Sequence, residues 1–133
     1  MRTMKGFTLI ELLVVIAIIA IITSIGIANL ITAQKQARDA ARREIVSNIQ
    51  SAFEQYYAET GSYPVGDYGL AFENGEAPED PREDNSPLTW MVQSATYCVC
   101  ATLENSAGNA NVPTSTTCDW EPEGTEYCAQ NQQ

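Results

Sequence analysis

Lys5-Gly6-Phe7-Thr8-Leu9-Ile10-Glu11-Leu12-Leu13-Val14-Val15-Ile16 is the stretch on which the reading of the whole chain turns. From Leu12 to Ile22 every residue is apolar, and the run continues to Ile31 with only Thr23, Ser24, Gly26 and Asn29 interrupting it. As a helix rising 1.5 Å per residue, Leu12 to Ile31 spans roughly 30 Å, the thickness of one bilayer core. A helix that is apolar on every face suits lipid or a tight bundle of helices, not the surface of a globular domain. Glu11 stands out within it, because a carboxylate inside hydrocarbon costs several kcal/mol and such residues usually have a partner. The basic leader Met1-Arg2-Thr3-Met4-Lys5-Gly6 precedes this stretch.

Past Ile31 the pattern changes. Ala33, Ala37, Ala41, Ile45, Ile49, Phe53 and Tyr56 recur every three or four residues, which predicts one apolar stripe on an otherwise polar helix. Asp39 and Arg43 at i,i+4 add slight support, and Gly61 is placed to cap the end. A helix from Phe7 to Glu59 would be roughly 80 Å long. A domain of this size cannot bury such a helix, so its N-terminal part must be embedded in membrane or in neighbouring subunits.

Composition divides the chain at residue 60. Residues 1–60 hold 6 Lys/Arg and 5 Asp/Glu, whereas 61–133 hold Arg82 alone against 12 acids, which together give the net charge of -10 over 133 residues. All 6 prolines and all 4 cysteines lie in the second half, and every isoleucine lies in the first. So acidic a chain is a poor partner for nucleic acid. With no histidine, the usual general base of hydrolytic triads is missing, and no lysine follows Lys35. No catalytic constellation is apparent, and an enzyme is not expected.

The second half reads as a small head. Gly61-Ser62-Tyr63-Pro64 ends the helix and blocks its resumption. Leu88 to Val92, Tyr97 to Leu103, Thr116 to Trp120 and Glu126 to Ala129 read as short strands. The fold class is therefore α+β, one long helix packed on a small antiparallel sheet. Large apolar residues are few, so the core is thin and needs staples or the helix stripe for cover. In Tyr97 to Leu103, alternation places Tyr97, Val99, Ala101 and Leu103 on one face and Cys98 and Cys100 on the other. Neighbours at i,i+2 bond poorly to each other. Two disulfides are expected, each joining Cys98 or Cys100 to Cys118 or Cys128, with the pairing left open. A four-cysteine zinc site lacks the usual C-x-x-C spacing. Asp67, Glu73, Glu76, Glu79, Asp80, Glu83 and Asp84 read as a solvated acidic loop, with calcium a minority reading centred on Glu73, Glu76, Asp80 and Asp84 and no EF-hand spacing to support it.

The basic leader ending in Gly6, followed by Phe7-Thr8-Leu9-Ile10-Glu11 and the apolar helix, closely resembles the type IV pilin and type II secretion pseudopilin superfamily, over Lys5 to Ile31. Gly61-Ser62-Tyr63-Pro64 resembles the Gly-x-Tyr-Pro motif of major pseudopilins and some pilins. The resemblance implies a pilin-like fold and cleavage by prepilin peptidase between Gly6 and Phe7, with methylation of the new N-terminus at Phe7. It also implies that Glu11 pairs with the free α-ammonium of Phe7 on an adjacent subunit during assembly. In a dry bundle such a pair adds little net stability, but a missing partner is heavily penalised, so it can fix axial register. Pilins commonly close an exposed loop with a C-terminal disulfide, and major secretion pseudopilins are known for a calcium site in this half. The chain departs from the pattern at Ala28, where many members carry the proline at which the helix unwinds; Gly26 is the local breaker here.

A secretory signal peptide or a plain one-pass anchor would also explain the leader and apolar run. Glu11 inside the apolar core, the lack of an A-x-A site and the long helical continuation weigh against both. Flanking Lys and Arg give no clear orientation. The resulting organisation is a leader at 1–6, a transmembrane or filament-core helix at 7–31, an amphipathic continuation at 32–60 and an acidic head at 61–133. The expected role is a structural subunit of a type IV pilus-like filament, held in the inner membrane with its head outside the cytoplasm before assembly at the cell surface or in the periplasm. Its expected partners are copies of itself, prepilin peptidase and inner-membrane assembly machinery, with no nucleic acid and no cofactor beyond the calcium alternative. A pseudopilin of a secretion or DNA-uptake system is the alternative, and a membrane-anchored binding module a remote one.

Overall fold

A computed structural model describes residues 6–81, 88–105 and 108–132. Helix α1 runs Leu9–Thr60. Its start is set by a reciprocal cap: the Thr8 hydroxyl accepts from the Glu11 backbone N–H at 3.3 Å, and the Glu11 carboxylate accepts from the Thr8 backbone N–H at 3.3 Å and from its hydroxyl at 3.1 Å. Thr8-Leu9-Ile10-Glu11 is thus a capping box that satisfies donors a helix start leaves open. At the other end Gly61, at φ 77°, donates to the Tyr57 carbonyl at 2.8 Å, as the C′ role predicts.

The chain divides into two units, Met1–Gln34 and Lys35–Gln133. In the first, the large apolar side chains are exposed, from 44% at Val15 to 81% at Leu9. This part of α1 has a mean hydropathy of 2.8 in its most apolar window and is long and apolar enough to cross a membrane. Two hydroxyls inside the run fold back on the helix: Ser24 donates to the Ile21 carbonyl at 2.7 Å and Thr23 to the Ile19 carbonyl. That satisfies both groups without solvent. The helix continues through Gly26 and residue 28.

In the second unit, the Lys35 to Thr60 part of α1 supports a five-stranded antiparallel sheet. The strands are β1 Thr89–Val92, β2 Tyr97–Thr102, β3 Ala110–Asn111, β4 Asp119–Trp120 and β5 Glu126–Gln130, in the order β1-β2-β5-β3-β4. A short 3-10 helix, Tyr68–Ala71, follows the Tyr63-Pro64 turn. Alternation along β2 sorts its side chains as expected. Tyr97, Val99 and Ala101 join Val46, Ile49, Phe53, Tyr63, Leu88 and Ala129 in one buried cluster, while Cys98 and Cys100 join Ala110, Cys118 and Cys128 in another. Phe53 is the centre of the first cluster, with the rings of Tyr63, Tyr68, Trp90 and Tyr97 at centroid distances of 5.1–6.5 Å.

The structure differs from the sequence reading in three places. Strand β3 was not anticipated, since two residues carry no readable periodicity; it exists because Ala110 pairs with both Trp120 and Glu126. Glycines permit that approach, as a Cβ on Gly124 would meet the Ala110 carbonyl oxygen at 2.0 Å. The expected strand from Thr116 begins only at Asp119. The helix seam is also shifted: its buried positions are Asp39, Arg42, Val46, Ile49 and Phe53, with Ala33 and Ala37 exposed. Composition changes at residue 60, whereas the packed unit begins at Lys35, because the second half of the helix supplies Val46, Ile49 and Phe53 to the core.

Candidate functional site

At the amino end the described residues start at Gly6, and residues 1–5 of the leader lie outside them. Gly6 and Phe7 precede the helix in non-helical, exposed chain, with Phe7 77% exposed. Glu11 sits in the first turn of the helix and in this single chain is engaged by Thr8. The T-x-x-E spacing of Thr8 and Glu11 is the sequence signal of this capping box.

The cysteines pair as Cys98–Cys118 and Cys100–Cys128, with Cα separations of 5.4 and 4.1 Å. Both bridges join one member of the β2 pair to one of the two later cysteines, and the register explains half of the connectivity. Cys100 lies directly opposite Cys128 across the β2–β5 ladder. Cys98 faces Gln130 there and takes Cys118, from the loop before β4, instead. Between them the bridges tie the loop before β4 and the C-terminal strand to β2. A depression of about 250 Å³ near β5, lined by Ser47, Gln50, Trp120 and Tyr127 among others, gathers no set of acid and base groups.

A buried ion cluster fixes two loops on the helix. Arg42, 1% exposed, donates to both Asp80 carboxylate oxygens at 2.7 and 3.0 Å and to Glu104 at 3.4 Å. Arg38 grips Glu104 through two bonds at 2.6 and 2.7 Å. Asp39 accepts from the Glu104 and Asn105 backbone N–H groups at 2.8 and 3.1 Å and from the Asn105 amide at 2.9 Å, so it serves the loop after β2 more than the helix. Its cationic neighbour on the helix is Arg42 at 3.8 Å, whereas the Arg43 guanidinium lies 5.7 Å from the Tyr127 ring centre. The hydrogen bonds to Asp80 hold Arg42 above its ordinary value against the opposing effect of burial. Buried Glu126 goes the other way: burial pushes its carboxyl up, opposed by the Thr102 hydroxyl at 3.0 Å and by the charge of Arg42. Charge in this seam was not foreseen, since a helical pattern read only for apolar residues passes over Asp39 and Arg42.

The Gly61 to Pro64 motif has a second function besides ending the helix. The Tyr63 hydroxyl lies 3.1 Å from the Glu54 carboxylate, the Tyr97 hydroxyl lies 3.2 Å from it, and the Gln132 backbone N–H also donates to it at 3.2 Å. Burial first, and the adjacent Glu54 carboxylate second, raise both phenols above their ordinary range. One carboxylate thereby joins the turn, β2 and the C-terminal residues to the helix. Of the calcium candidates, Asp80 is occupied by Arg42, Glu73 and Glu76 are exposed, and Asp84 lies outside the described residues. Among the described residues, the grouping of His, Cys, Asp and Glu close enough to hold an ion is the four disulfide-bonded cysteines.

Residues 1–27 match the model of the prokaryotic N-terminal methylation motif. The chain is 46% identical over 63 residues to the type IV wide pilus major component PilA4 of Thermus thermophilus, covering 47% of this chain and 48% of that protein. It is 29% identical over 90 residues to the type II secretion system core protein G of Klebsiella pneumoniae, covering 65% and 62%. With the type IV major pilin protein PilA of Myxococcus xanthus it shares 36% identity over 75 residues, covering 56% and 32%. The chain therefore spans about half the length of the relatives it matches first. No solved structure matches it. The chain thus carries the N-terminal methylation motif at its start and is similar over part of its length to type IV pilins and to type II secretion core protein G.

Proposed function

We propose that this chain is a structural subunit of a type IV pilus-like filament and not an enzyme. The observation that carries the reading is the conjunction, in one helix, of the methylation motif and an apolar run whose large side chains are all exposed. That surface needs lipid before assembly and neighbouring helices after it. The subunit is held in the inner membrane by this helix with its head outside the cytoplasm, cleaved by prepilin peptidase between Gly6 and Phe7, methylated at Phe7 and packed with copies of itself by inner-membrane assembly machinery. Glu11 then exchanges its local cap for the Phe7 ammonium of a neighbouring copy, which sets axial register. A pseudopilin of a secretion system is the second reading, favoured by the Gly61 to Pro64 turn and by the similarity to core protein G.

Intact mass of the native protein, compared between the membrane fraction and material sheared from cells, tests the proposal. Loss of Met1 to Gly6 with one added methyl group, in the sheared fraction, is the expected result for a pilus subunit. The same processed mass confined to membranes favours the pseudopilin, and an intact leader overturns both. In cells, Glu11→Ala is expected to leave export and head folding intact and to cut filament incorporation; normal filaments from that variant would remove the register argument.

A further inference from the structure

The two disulfides do not stand apart. Cys98 and Cys100 project from the same face of β2 with their sulfurs 3.6 Å from each other, although they belong to different bridges. All four sulfurs lie within 4.8 Å of one another, and the four residues are buried, Cys98 and Cys100 at 0%, Cys128 at 3% and Cys118 at 4% exposure. Cys118 hangs from a mostly exposed loop at 112–117, while Cys98 and Cys100 sit in a strand hydrogen-bonded on both sides. An external reductant therefore meets the Cys98–Cys118 bridge from the loop side. The thiol it leaves on Cys98 is then held against the second bridge at a local concentration that no external thiol can match.

We propose that the two bridges form one exchange-coupled redox unit, in which opening either bridge lets its freed thiolate attack the other and move the remaining disulfide among the four cysteines. After two-electron reduction of Cys98–Cys118 by a phosphine or dithiol, the freed Cys98 thiolate, 3.6 Å from the Cys100 sulfur and within 4.8 Å of Cys128, swings about its own side-chain bonds past Cys100 and attacks the Cys128 sulfur in line. A Cys98–Cys128 bond forms, the Cys100–Cys128 bond breaks, and Cys100 leaves as a thiolate; no electrons are gained or lost in the exchange itself. This product avoids a bond between i and i+2 on one strand. The unit tolerates an incorrect first pairing, because the second pair of cysteines repairs it from within the folded head. Loss of one bridge likewise leaves a mobile bond in the sheet instead of one free thiol pair.

The test uses the oxidised full-length protein in detergent, treated with one equivalent of a phosphine reductant at about pH 8, where thiolates are populated, and at about pH 4, where they are not. Free thiols are trapped with a maleimide after increasing delays and located by peptide mapping. At the higher pH the singly reduced species is expected to carry labels on Cys100 together with Cys118, in a share that grows with delay, and at the lower pH only on the native pairs. Labels confined at both pH values to Cys98 with Cys118, or to Cys100 with Cys128, overturn the proposal. Near-UV circular dichroism from Trp90 and Trp120 is recorded on the same samples. Scrambled labels that accompany loss of that signal also overturn it, because the exchange would then belong to an unfolded chain.

Discussion

The N-terminal part of α1 and the head follow opposite rules of burial. Between Leu9 and Ile31 stand the most apolar residues of the chain, and all the large ones are exposed, whereas the unit from Lys35 onward buries Arg42 at 1%, Glu126 at 2% and Asp39 at 5%. Hydrophobicity alone would predict the reverse. The large apolar side chains of the first region stand exposed in the single chain, the surface that the proposed insertion in lipid or packing in a bundle would cover. The second has a core too thin to cover the helix with carbon alone, and at the Lys35 end of its seam paired charges take the place of apolar contact. Such pairs give modest net stability when intact and impose a large penalty when half removed. The apolar region thus leaves its surface uncovered, while the charged seam fixes where two loops sit.

Substitutions break this contrast in graded steps. The largest effect is expected for Arg42→Ala, which leaves Asp39, Asp80 and Glu104 without their shared guanidinium; the loss should be about 3–5 kcal/mol of head stability in urea unfolding, with membrane insertion unchanged. Alkaline titration comes next. Tyr63 and Tyr97 hold their protons more tightly folded than unfolded, so the stability they contribute is fully present below the ordinary phenol value of 10.0 and falls as pH rises above it. The double variant Tyr63→Phe/Tyr97→Phe should lose less stability between about pH 10 and 12 than the native chain does, read as the unfolding midpoint at each pH.

Glu126 sharpens the comparison in the opposite direction. Its raised folded value means that its favourable contribution is present at acid pH and lost as pH rises from the unfolded value of 4.5 through the folded one. Glu126→Gln keeps an acceptor for the Thr102 hydroxyl, and is expected to raise the thermal midpoint at neutral pH while matching the native chain in acid. At the other end, Thr8→Ala should cost about 0.5–2 kcal/mol of local helix stability, seen as faster amide exchange at residues 9–12, with no change in the head. The smallest effect belongs to Ile18→Ala, which should change head stability by no more than about 0.5 kcal/mol, although the same change at Ile49 costs about 2–5 kcal/mol. Equal effects at the two isoleucines would erase the distinction between the regions.

Read as sequence, the chain already determined the long helix, its apolar and amphipathic halves, the Gly61 stop, the antiparallel head and the two faces of β2. These are local matters: a period of 3.6 or 2, a glycine that accepts positive φ, a run of apolar residues longer than a fold can bury. Even the Thr8–Glu11 cap was written there at a spacing of three. Tertiary structure alone decided the rest. Cys100 takes Cys128 because register sets them opposite each other, and Cys98 is left to reach Cys118. Arg42 is buried because Asp80 and Glu104, 38 and 62 residues further along the chain, arrive to pair with it. Glu54 becomes a hub because two tyrosine hydroxyls and the end of the chain converge on one carboxylate. Each is a meeting of groups distant in sequence, and whether a polar side chain can be buried depends on the partner that folding brings to it, not on its own chemistry.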